Sequence, residues 1–281
     1  MDQKEYLEKL HEVQIEILDE IDKICKENKI KYFLVGGTML GAIRHNGFIP
    51  WDDDVDIGML REDYEKFKEL CLKNNVLDKR YFLHCLDTDK NYWLSFMKVR
   101  KNNTTFGEKN IKILDTHKGV FVDIFPYDNV KYENNFFQKI RSFLILNIKD
   151  AILCKHKLKE VNNCRRKSAV KVLMLLSLKQ LHNFQKYLFN IKRNKNTKYI
   201  ICFIGGGNPV DETLERDKVF PTVDVEFEGK KYPGIKDYDY YLKKVYGNYM
   251  ELPPEDKRVT HSPEIISFTE GKNCENKKVK K

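Results

Sequence analysis

The sequence predicts an α+β fold: a mixed sheet flanked by helices, with a basic helical insertion in its second half. Three observations carry this. Short apolar or alternating runs (Tyr32–Val35, Tyr81–Cys85, Gly119–Phe125) are separated by longer segments of helical period. A Lys-rich stretch from Lys131 to Lys198 is poor in Gly and Pro and reads as helix. At 281 residues and 41% hydrophobic, the chain is long and apolar enough to bury a real core, as one domain or one plus an appendage.

The elements follow in order. Tyr6 to Asn28 places Leu10, Val13, Ile17, Ile21 and Ile24 at helical spacing, a helix expected to pack on the sheet without chemistry of its own. Tyr32 to Val35 is a buried strand. Gly36-Gly37 breaks it, and Thr38 is expected to cap a helix over Met39 to His45. Gly47 and Pro50 make a rigid turn, and Asp54 to Ile57 alternates as a strand. Arg61 to Leu72 is a helix with Tyr64, Phe67, Leu70 and Cys71 on one face. Tyr81 to Cys85, Tyr92 to Arg100 and Gly119 to Phe125 read as strands, and Asp128 as a turn residue.

In the basic stretch, FFQKIRSFLILNIKDAIL and KSAVKVLMLLSLKQLHNFQKYL each read as one helix. Gly205 to Pro209 is a loop, with neither the GK[ST] of a Walker A motif nor a G-x-G-x-x-G pattern. Phe220 to Pro233 reads as a hairpin turning at Glu228-Gly229. Asp237 is expected to cap a helix that ends at Gly247. The Lys- and Asn-rich tail is expected to be disordered.

Chemistry concentrates in LVGGTMLGAIRHNGFIPWDDDVDIGM, residues 34–59. In a strand, Asp54 and Asp56 point to one face with Cα atoms roughly 6.5 Å apart. Carboxylates that close repel unless a cation lies between them. Mg²⁺ suits oxygen ligands shared with substrate phosphates, and Mn²⁺ is an alternative. A glycine turn leading into a helix N-terminus favours an anion, so Gly36, Gly37 and Thr38 are candidates to cradle phosphate, with Arg44 steadying its charge. Asp123 lies inside an apolar strand, where a lone carboxylate is costly unless paired or metal-bound. It is a third candidate carboxylate, and a surface-facing residue on an edge strand is the plain alternative. Lys98 and Arg100 share a strand face and are candidates for donor phosphate; an exposed strand face is the plain alternative. His45 is a candidate base or a loop brace. Trp51 either closes over a base or a choline-like cation or simply packs.

The spacing of Gly-Gly and Asp-h-Asp-h (h, apolar) is similar to the nucleotidyltransferase signature, and GGTMLGAIRHNGFIPWDDDVDI resembles the LicD family, which includes the fukutin-like proteins. VFVDIFPYD and YLKKVYGNYMELPPEDKR resemble further blocks of it, so the likeness spans roughly residues 30 to 262. With the composition above, the expected division is a nucleotidyltransferase-like catalytic core over 1–130, a basic helical subdomain over 131–200, a hairpin and helix over 201–265 completing the catalytic domain, and a tail over 266–281. The likeness implies a phosphotransferase that moves a phosphorylated small group, phosphocholine above all, from a CDP-linked donor to a glycan or its lipid-linked precursor, releasing CMP. Asp54, Asp56 and Asp123 would then hold the metal, with Asp123 in the place of the third acid such proteins carry, as metal ligand or general base. Transfer of a nucleotide from a triphosphate is the alternative chemistry, because the residues around the metal would be similar.

Charge and cysteines bound the rest. A net charge of +9 suits phosphate-bearing substrates, an anionic membrane face or nucleic acid. A non-enzymatic basic adaptor on membrane or nucleic acid is the competing class, but it leaves the three aspartates unexplained, and nucleic acid is the less favoured partner. Seven scattered cysteines without CxxC argue against a disulfide framework and a zinc ribbon. The N-terminus does not read as a signal peptide, and no apolar run reaches membrane-spanning length. The expected location is cytoplasmic, with peripheral contact at the inner membrane face as an option.

Overall fold

The structure, a computed structural model, describes residues 3–107, 114–133, 135–191, 196–205, 212–258 and 265–268. It has the expected α+β architecture, built on a mixed sheet. The spine is β6 (Phe121–Val130), the longest strand described. β2 (Asp56–Leu60) pairs with it in parallel, and β1 (Tyr32–Leu34) pairs antiparallel with β2. On the other edge of β6, β4 (Met97–Lys101) pairs antiparallel and carries β3 (Tyr81–His84) outside it. Further along that edge β7 (Tyr199–Ile201) takes over from β4 and carries β8 (Thr213–Glu215). β6 therefore does not end at Pro126. That residue, which has no N–H to donate, falls where β6 exchanges one neighbour for the next.

Helices cover this sheet. α1 (Gln3–Glu27) buries Leu10, Ile17, Leu18 and Ile21 completely, each worth about 1.5–3 kcal/mol of apolar burial. α2 (Gly36–His45) follows β1 directly, and α3 (Arg61–Lys73) follows β2. The basic stretch forms α4 (Phe136–Lys155), α5 (Lys167–Leu173) and α6 (Leu178–Asn190). α4 and α6 are tied where Arg141 donates to the carbonyls of Leu188 and Phe189. After β8 come α7 (Arg216–Val219), the hairpin β9 (Val223–Phe227) and β10 (Lys230–Gly234), and α8 (Tyr238–Tyr246). Both hairpin turn residues, Glu228 and Gly229, have positive φ, as a tight two-residue turn demands. A small antiparallel pair joins β5 (Thr105–Gly107) to β11 (Ile265–Ser267). No described helix is long and apolar enough to cross a membrane.

Several expectations need correction. Thr38 is not a cap: α2 begins two residues earlier, and the Thr38 hydroxyl accepts the Asp56 N–H at 2.8 Å. β2 starts at Asp56, so Asp54 precedes the strand. β4 starts at Met97 rather than Tyr92, which closes the last of the turns that follow Cys85. The second basic helix is two, since Ser177 and Gln180 form a capping box that starts α6 afresh. Asp128 is a buried strand residue, not a turn: Arg61 grips both its oxygens at 2.9 Å. Ile266 and Ser267 are paired strand residues within the segment read as tail. The expected Gly205–Pro209 loop lies outside the described residues beyond Gly205.

Candidate active site

The acids meet at the C-terminal end of β1 and the start of β2. Asp56 opens β2 and stands in register with Asp123 of β6, and Asp123 with Lys98 of β4. Paired residues face the same side of a sheet, so the three form one row. Lys98 Nζ lies 2.7 Å from Asp123 Oδ1 and donates a hydrogen bond to Oδ2 at 3.0 Å, with Lys98 and Asp123 both buried. The ammonium also stacks 3.4 Å from the centroid of the Phe121 ring. Burial, then the charges of Asp54, Asp123 and Asp52, hold the Asp56 carboxyl well above the usual carboxylate range.

The two glycines make room for these carboxylates. Gly36 has φ +58°, and a Cβ there would lie 2.8 Å from Asp56 Oδ2. A Cβ on Gly37 would overlap Asp52 Oδ2. The Gly36 N–H donates to the Tyr241 hydroxyl at 2.8 Å, which ties the turn to α8. Asp53 points the other way, into the core. There Tyr6, His11 and Gln14 of α1 bond to Asp53 and to the Asp52 carbonyl. α1 thus braces the acidic loop, a role its sequence gave no sign of.

Arg44 donates to the carbonyl oxygens of Tyr249 and Glu251 at 2.7 and 3.3 Å. His45 is half-buried, edge-on to Trp51 at 6.4 Å, and desolvation with the neighbouring Arg44 charge lowers its pKa. The Arg258 guanidinium lies 5.0 Å from the Trp51 ring, so that ring already meets a cation of the chain itself. Arg100 shares a face with Lys98 but is buried, donating to His84 Nδ1 at 2.7 Å and to the Gly119 carbonyl at 2.6 Å. Burial and the Arg100 charge push His84 down to about 3.

Two cavities flank the acids. One, of about 490 Å³, is lined by Gly36, Gly37, Asp56, Phe125, Tyr127 and residues of α8. The other, of about 560 Å³, is lined by Arg44, Trp51, Asp52, Asp54 and the chain from Asn248 to Pro254. Gly37 and Tyr246 belong to both. Asp52, Glu212, Tyr241 and Tyr246 were not among the sequence-derived candidates. Asp52 was in reach, since it continues the period-two spacing of Asp54 and Asp56. The others lie far along the chain and carried no local signal.

The donor set is all carboxylate oxygen, hard in character, and its repulsion at Asp56 is what a small divalent cation would relieve. Among the described residues, no three His, Cys, Asp or Glu side chains are grouped closely enough to enclose a metal ion by themselves. A Mg²⁺ site that completes its shell with water and substrate phosphate fits such a set in kind.

Comparison with known proteins adds the following. Residues 29–164 match the family model described as LicD/FKTN/FKRP, nucleotidyltransferase domain. The lipopolysaccharide cholinephosphotransferase LicD of Haemophilus influenzae is 28% identical over 254 residues, covering 89% of this chain and 93% of that protein. The ribitol 5-phosphate transferases FKRP of human and mouse are 43% identical over 56 residues, 19% of this chain and 11% of theirs.

Proposed function

Because the chain belongs to the LicD-type phosphotransferases, we propose that it moves phosphocholine from a CDP-linked donor to a hydroxyl of a glycan or lipid-linked glycan precursor, releasing CMP. The observation that carries this is the in-register row Asp56–Asp123–Lys98 beside the Gly36-Gly37 turn, with Asp56 lining one cavity and Asp54 the other. The likeness to a cholinephosphotransferase along most of both chains supports the choice of head group.

Asp54 and Asp56, with Asp123 beside them, would hold Mg²⁺ or Mn²⁺. The bound ion would neutralise phosphate charge on the donor, which is most of what phosphoryl-type transfer requires of a protein. The acceptor oxygen attacks the phosphorus bonded to choline oxygen, and the bond from that phosphorus to the CMP oxygen breaks. The acceptor proton passes to a carboxylate of the cluster, which we assign to Asp123. Thr38 fixes the start of β2 through the Asp56 N–H, and the Lys98 ion pair fixes Asp123. His45 braces Trp51 in this reading.

The test is to incubate the purified chain with CDP-choline, a glycan acceptor and Mg²⁺, following CMP and product mass. Metal-dependent CMP release with a phosphocholine mass gain on the acceptor is expected, and Asp56→Asn should remove both. Release of pyrophosphate from CTP, with CDP-choline untouched, would refute the proposal in favour of nucleotide transfer.

A further inference from the structure

We propose that the cavity walled by β6 and α8 is the head-group pocket, and that it selects a quaternary ammonium. This rests on the phosphocholine-transfer reading and deepens it. Strand alternation puts Asp123, Phe125 and Tyr127 on one face of β6, so the row of acids runs directly into an aromatic wall. Gly58 of β2 is paired with Phe125, and a Cβ there would lie 2.7 Å from Tyr127 Cε2. The missing side chain is what lets the Tyr127 ring lie where it does. The opposite wall is α8, with Tyr241 and Tyr246. Tyr241 is fixed by its hydrogen bond from the Gly36 N–H.

Glu212 supplies a charge in this wall. Burial raises the phenol pKa values of Tyr127, Tyr241 and Tyr246, and neighbouring groups, Asp56 and Glu212 among them, raise them further. Asp56 lies at the other end. The lining also includes Lys244, but its ammonium is turned onto Glu133 at 2.6 Å and lies over the Tyr240 ring. Aromatic rings and a carboxylate lining one cavity attract a trimethylammonium group, which has no N–H to satisfy. The volume, about 490 Å³, is within the range of small-molecule sites.

The experiment uses the full chain. Phosphocholine and CMP binding are measured by calorimetry, and kcat/KM is measured for CDP-choline and CDP-ethanolamine. We expect Tyr246→Leu and Glu212→Gln each to weaken phosphocholine binding about tenfold and to lower the choline-over-ethanolamine preference similarly, leaving CMP binding unchanged. Tyr246→Phe should keep both, because the ring face is retained; a purely space-filling role would be rescued by Leu as well. The pocket assignment is overturned if the Leu and Gln variants bind phosphocholine like the wild type, or if they weaken CMP instead, which would make this the base site. Turnover of CDP-choline with an unaltered preference sinks the pocket alone. Failure to use CDP-choline at all, with transfer of an alditol phosphate, sinks the transfer reading and the pocket with it.

Discussion

Lys98→Met tests whether the buried row is an electrostatic unit. Lys98 is 4% exposed and Asp123 7%, with 2.7 Å between ammonium and carboxylate. Met keeps an unbranched chain over the Phe121 ring and deletes the charge. Removing one partner of a buried pair costs about 3–5 kcal/mol, because the other charge stays buried. Here Asp56 stands in the adjacent register position and adds repulsion. Asp123→Asn removes the opposite partner, and the double variant removes both charges. The double variant is expected to fall short of the sum of the singles by about 0.5–3 kcal/mol. Urea unfolding in EDTA measures all four proteins. Repeating it in Mg²⁺ at a hundredfold excess over its Kd should restore about 2.7 kcal/mol to Lys98→Met if the carboxylates bind the ion in the folded state. A Lys98→Met cost below about 1 kcal/mol, or singles that simply add, would refute the reasoning.

Other outcomes follow from the same geometry. Asp56→Asn should cut transfer about 10³-fold with folding retained, measured by CMP release, as expected when a charge-stabilising group is lost. Gly37→Ala should displace Asp52 and lower transfer at least about tenfold, while a urea midpoint checks that the fold survives. Asp128→Ala should cost about 3–5 kcal/mol in urea unfolding, because it strands the buried Arg61 guanidinium. Burial and Arg100 hold His84 near 3 and His117 near 4, below the 6.5 of the unfolded chain. Their contribution is complete above pH 6.5 and is lost as pH falls toward those values, since the unfolded state then binds more protons. The slope should approach about 1.4 kcal/mol per pH unit for buried His84 and less for the partly solvated His117. His84→Asn, which keeps an acceptor for Arg100, should flatten the acid limb of a stability–pH curve.

What could be read from the sequence was what short stretches decide. The β9–β10 turn needed positive φ at Glu228 and Gly229, and Asp237 caps α8 by accepting the Tyr240 N–H. Both are local, and both were visible. The start of β1 and the placing of Asp123 within a strand were visible for the same reason. Period two correctly put Lys98 and Arg100 on one face. It could not say that His84 and Phe121 cover that face, because those contacts join separate strands. Asp128 was misread because Pro126 looks like a strand end, and its partner Arg61 lies on another element. The break between α5 and α6 was present in Ser177 and Gln180, but the apolar run across it masked the cap. The cavity walls were invisible because Glu212, Tyr241 and Tyr246 lie more than 150 residues beyond Asp52 to Asp56 and approach them only once the chain has folded back.

The hydrogen bond from Gly36 to Tyr241 joins two parts of the chain that lie 205 residues apart. The segment matched by the family, 29–164, contains the charged floor of the site, whereas α8 and Glu212 lie downstream of it. Floor and wall are thus tied to each other, and a shift of α8 is carried into the turn beside Asp56. A fragment cut at residue 164 would keep every aspartate of the cluster yet lose the α8 and Glu212 side of the cavity.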